Sequence, residues 1–149
     1  MEKIARASFG YTIFGLLGGF YYRTLTRVYK FDRAYPTQLR LFHTHTFALG
    51  STFFLSLLVL EKNFHLTRQK GYKAFYVPYN IGIGITLTMM LVKGTMTVVG
   101  CEAQESRLFS WAAGLGHTLT AFGLYKFHQI IMAAIRDEKK DGEDKKDTA

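Results

Sequence analysis

The chain has 149 residues, enough for one domain, and 19 Lys plus Arg against 11 Asp plus Glu give a formal net charge of +8. Six of the acidic residues crowd into the last 13 positions, so the body holds fifteen basic against five acidic residues and calls for an anionic neighbour, lipid or nucleic acid. Nucleic acid is excluded because the basic residues flank four long uncharged runs and do not form one stripe.

The first run, between Arg6 and Arg23, has 16 uncharged residues, short for a span that needs about 20. Arg6 and Arg23 can snorkel, and Tyr21 and Tyr22 suit an interface, so a helix over about 5–23 is predicted. No small-residue cleavage pattern follows it, and it is expected to stay as helix one. The second run, between Arg40 and Glu61, has twenty uncharged residues and predicts a span over about 39–60. The third, nineteen residues between Lys73 and Lys93, passes that lysine and predicts 75–99; the fourth, eighteen between Arg107 and Lys126, predicts 108–135.

The expected fold is all-α: an integral membrane four-helix bundle of up-down-up-down topology over residues 1–136, followed by a charged, disordered tail over 137–149. A water-soluble bundle is the competing expectation, but the runs lack the polar stripe that a helix shows to water. The short loops "EKNFHLTRQKGYK" and "GCEAQESR" force neighbouring helices to run antiparallel. Contacts are expected through small residues: Gly15, Gly18 and Gly19; Gly82 and Gly84; Gly114, Gly116 and Gly123. Lys plus Arg number twelve on the side of the termini and six on the other, which places both termini in the cytoplasm, although loop one alone carries five. Cys101 stands alone and can form no internal disulfide.

Ionisable groups at membrane depth are costly and point to function. Here they are His43, His45, Lys93, His117, Lys126 and His128, with no Asp or Glu inside any predicted span. The absence of carboxylates argues against a proton relay, a di-iron site of the Glu-x-x-His kind and an acidic ion pathway. The order of the spans brings His43, His45, Lys93 and His117 into one half of the bundle, whichever way the protein faces.

Residues two apart on a helix differ by about 200° in direction, so His43 and His45 cannot close on one ion from the same side. Two ligands for one cofactor must come from different helices, and His117 is the expected second. Haem b between His117 and either His43 or His45 fits two neutral imidazoles with no thiolate. Gly50, Gly114 and Gly116 would leave flat walls, while Lys93, Arg23 and Arg40 would meet the propionates. Copper or zinc on His43, His45 and His117 is the alternative, needing both members of the pair to turn inward. A third possibility has no cofactor: an accessory subunit whose histidines bond between helices.

His128, beside Lys126, is expected at the interface, His65 in a solvated loop, and Met89, Met90 and Met96 in packing. No nucleophile, phosphate loop or acid pair is present, so a binding protein is expected before an enzyme. The expected partners are a bilayer with anionic lipids, a redox or other membrane protein, and a second copy of the chain.

The segments "LFHTHTFALG", "YNIGIGITLTMMLVKG" and "AGLGHTLTAFG", in this order, resemble a family of small bacterial four-span membrane proteins of unknown function, over residues 4–135. The resemblance implies a four-span fold in the bacterial cytoplasmic (inner) membrane and no activity. Helix two is also similar to the second helix of the haem-copper oxidase and nitric oxide reductase subunit I superfamily, which has a haem-ligating His-Thr-Asn near its outer end. That likeness implies His43 as the ligand, with His45 where the superfamily has Asn. The level of His117 instead favours His45, by about 3 Å at 1.5 Å per residue. The copper-binding histidines and further helices of the superfamily are absent, so no oxidase or reductase chemistry carries over.

Overall fold

The computed structural model describes residues 1–32, 34–101 and 106–147, with backbone alone for 141–147. The described residues form four long helices: α1 (Glu2–Val28), α2 (Leu39–Phe64), α3 (Tyr72–Val99) and α4 (Arg107–Asp147). Each is longer than its predicted span. Helix α4 also continues through Asp137 to Asp147 into the segment expected to be disordered, where good helix formers such as Glu and Lys predominate and proline is absent. Part of the third loop, 102–105, and the tail beyond 147 lie outside the described residues.

Local chemistry sets the ends. Lys30, at φ 49°, turns the chain out of α1, and Phe31 donates its N–H to the Thr26 carbonyl. Thr37 starts α2: its hydroxyl accepts from Leu39 N and donates to the Gly94 carbonyl at 3.1 Å, tying the helix start to α3. At the other end His65 adopts φ 49°, and the buried Glu61 carboxylate accepts from the Thr67 amide and hydroxyl. Gly100, at φ 78°, ends α3, with Cys101 N bonded to the Met96 carbonyl at 2.9 Å.

Helix α2 is not uniform. It is α-helical over Leu39–His45, widens to a π-helix over Thr46–Thr52, and returns to α over Phe53–Phe64. Carbonyls of the wide turn take donors from neighbouring helices: Tyr79 Oη donates to Leu49 O at 2.8 Å, and Ser8 Oγ to Ser51 O at 2.9 Å.

Glycines fix the packing. A methyl group at Gly18 would meet the Phe42 ring, one at Gly15 the Phe47 ring, and one at Gly50 the Tyr11 ring. With the Ser8–Ser51 bond, these contacts run α1 antiparallel to α2. Gly82 lies against Thr120, Gly116 against Thr86 and Gly123 against Tyr79, so α3 and α4 are antiparallel and close enough for backbone to meet backbone. Gly84 and Gly114, expected at contacts, face open space. Gly50 is no flat wall for a cofactor, because Tyr11 fills the space beside it.

The two pairs meet mainly in one half. There Tyr11, Phe53, Phe54, Phe75, Tyr79 and Phe127 interlock across all four helices, with ring centres 4.3 Å apart for Phe53–Tyr79 and 4.9 Å for Phe75–Phe127. In the other half α4 follows α3 while the start of α2 packs between α1 and α3. Large apolar side chains remain exposed on α1 and α4, among them Phe9, Phe20, Leu108 and Trp111, the last at 79%. Two of the helices, α2 and α3, are long and apolar enough to cross a membrane.

Candidate functional site

Above the aromatic cluster, the divergence of α2 from α4 opens a cleft of about 420 Å³, floored by α3. Helix α2 supplies Thr44, His45, Ala48 and Leu49, α3 supplies Thr86, and α4 supplies His117, Thr120, Ala121 and Leu124. The packing of Gly116 on Thr86 sets the depth of His117, one residue on.

The two imidazoles are held alike. His45 Nδ1 bonds the Leu41 carbonyl at 3.0 Å, and His117 Nδ1 bonds the Ala113 carbonyl at 2.7 Å, each one turn back on its own helix. A carbonyl only accepts, so each ring donates from Nδ1, and in a neutral ring of this kind the lone pair is on Nε2. Such a backbone bond fixes the tautomer and orientation that a metal-ligating imidazole needs. The remaining walls are small or apolar, and among the described residues no carboxylate or thiol lines the cleft.

Thr86 is 3% exposed and its hydroxyl has no partner among the described residues. Thr120, opposite, donates to the Gly116 carbonyl at 2.9 Å instead. Neither threonine was singled out from sequence. The signal was there in Gly82-x3-Thr86 and Gly116-x3-Thr120, two small-residue pairs that meet face to face.

His43 does not join this group. It faces α1, where a methyl on Gly19 would lie 3.9 Å from its Cβ, and its Nδ1 is buried with no partner among the described residues. The oxidase likeness would make His43 the ligand, whereas His45 lines the cleft. Among the described residues no three His, Cys, Asp or Glu side chains are placed to hold a metal ion, so the expected trio of His43, His45 and His117 is not assembled.

The family model described as "Protein of unknown function (DUF2871)" matches residues 1–134. The chain belongs to this family. No curated protein matches it, and no solved structure does.

The other expected residues of this DUF2871 chain divide by side. Arg40 is exposed one turn before Thr44, on the cleft side of α2. Lys93 is half-buried seven residues beyond Thr86, on the same face of α3 and about 10 Å nearer the loop-one end at 1.5 Å per residue. Arg23 is exposed on α1, which packs on a different side of α2 from the cleft. His128 is exposed on α4 with Nδ1 on the Leu124 carbonyl, bordering a separate hollow with Tyr125 and Arg136. Lys126 donates to Gln129 at 3.1 Å and lies over the rings of Phe122 and Tyr125. Met90 is in the core.

Proposed function

We propose that this protein is a multi-pass protein of the bacterial inner membrane, an up-down-up-down four-helix bundle with cytoplasmic termini, that binds haem b between His45 and His117. The membrane address is supported by the two long apolar helices, the exposed apolar side chains of α1 and α4, and the basic residues at the helix ends. The observation that carries the haem reading is the shared cleft: two imidazoles from different helices, each with Nδ1 on a backbone carbonyl, between walls of Ala48, Leu49, Ala121 and Leu124.

This donor set fits haem b and fits zinc or copper less well. A structural zinc site wants four protein ligands and a catalytic one three, and the cleft offers only threonine hydroxyls beyond the two nitrogens. His45 and His117 are the residues that would hold the iron. Their backbone bonds orient both rings, and the small and apolar walls leave room for a flat apolar ligand. When bound, haem would supply a one-electron couple tuned by the imidazoles that hold it, which suits electron transfer, while sensing or handling of haem would need only its reversible binding.

The test is an absorption spectrum of detergent-purified protein, oxidised and then reduced with dithionite. Expected is a Soret band with sharp α and β bands on reduction, lost in His117→Ala and in His45→Ala and kept in His43→Leu. A featureless spectrum after hemin addition would overturn the assignment.

A further inference from the structure

Among the described residues of the helical body, the loop-one end of the cleft has cations and no matching anions. Lys93 is half-buried in α3 and Arg40 stands at the start of α2, and neither has an ion pair with another described residue. The described acidic residues of the body are committed or distant. Glu2 pairs with Arg6, Glu61 accepts from Thr67, and Asp32 lies in loop one with its carboxylate on Ala34 N. A half-buried ammonium in an apolar helix costs free energy until an anion or water reaches it.

The cations are placed where a ligand in the cleft would end. Thr44 lines the cleft, and Arg40 lies one turn earlier on the same side. Thr86 floors it, and Lys93 lies two turns on along the same face, about 10 Å toward the same end. The opposite end, by contrast, is closed by Leu49, Leu124 and the aromatic cluster.

Resting on the haem reading above, we infer that Arg40 and Lys93 form the carboxylate-recognising end of the cleft. The ligand is an amphiphile with an apolar body and acidic groups on one edge. Haem b would therefore present its propionates to Arg40 and Lys93. Arg40 and Lys93 are specificity-determining residues that separate a dicarboxylic porphyrin from its neutral ester. Arg23, on the far side of α2, has no part in this.

The experiment titrates the purified apoprotein in detergent with ferric protoporphyrin IX and, separately, with its dimethyl ester, following the Soret shift. The wild type is expected to bind the diacid at least about tenfold more tightly than the diester, the range of a charge-assisted hydrogen bond. Arg40→Gln with Lys93→Met should erase that preference by weakening the diacid alone, with the spectrum of the bound form unchanged. Arg40→Lys with Lys93→Arg should keep it, which separates lost charge from lost fold, and Arg23→Gln should behave as wild type. Equal binding of both porphyrins by the wild type, or a preference that survives in the uncharged double variant, would overturn the assignment and leave Arg40 and Lys93 as interfacial cations. A wild type that shifts neither porphyrin would overturn the haem reading itself, and this inference with it.

Discussion

The α1–α2 seam and the α3–α4 seam are both closed by glycines, but against different material. Gly15 and Gly18 receive aromatic rings, from Phe47 and Phe42, while Gly50 receives both the ring and the Cβ of Tyr11. Gly82, Gly116 and Gly123 receive the backbone and Cβ neighbourhood of Thr120, Thr86 and Tyr79. A ring can swing aside by a rotamer change, whereas a backbone can yield only by moving a whole helix. The α3–α4 seam is therefore the stiffer, and it is the one that sets the depths of Thr86 and His117.

The sharpest way to break this comparison is Gly82→Ala. The new Cβ would lie 2.5 Å from Thr120 N, and a loss of about 2–3 kcal/mol in a reversible unfolding titration is expected. Hemin binding should weaken in the same variant, because the helix carrying His117 is pushed away. Gly18→Ala puts its Cβ 2.2 Å from the Phe42 ring, which can rotate, so the expected loss is smaller, about 1–2 kcal/mol, with hemin binding kept. Equal costs for the two would show that the seams do not differ in stiffness. His43→Leu removes a buried nitrogen that has no partner among the described residues, and should be neutral or stabilising by up to about 1 kcal/mol. Gly114→Ala marks the small end of the scale: nothing lies within 4 Å of the added methyl, and a gain of about 0.5–1 kcal/mol is expected from helix propensity alone.

Much of this architecture was legible from charge spacing. Arg40, Glu61, Lys73 and Arg107 bracket runs that became helices, and the short loops fixed the antiparallel order of neighbours. Five of the eight glycines expected at contacts do make them, while Gly84 and Gly114 face open space and Gly19 only approaches His43. The level shared by His45 and His117 also followed from counting residues.

Rotation about the helix axes was not legible. Counting gives depth, but it does not say which of His43 and His45 turns toward α4; that depends on where α2 meets α1, a choice made by Phe42, Phe47 and Gly50 together. The π-helix at Thr46–Thr52 was hidden as well. No proline marks it, and its stability comes from Tyr79 and Ser8, residues remote in sequence that donate to its carbonyls. The aromatic side chains gather below the cleft, where Phe53, Phe75 and Phe127 join helices that no local pattern connects.

The antiparallel pairing also divides the cleft between two hairpins. Helices α1 and α2 bring His45, and α3 and α4 bring His117 with the threonine floor. Neither hairpin alone has both nitrogens, so the site is completed only when the second hairpin docks on the first. During synthesis the ligand would thus have nothing to bind until the last helix is in place, and its capture would mark the chain as fully assembled. On the proposed haem reading, acquisition of the cofactor would be coupled to the final step of the protein's own biogenesis.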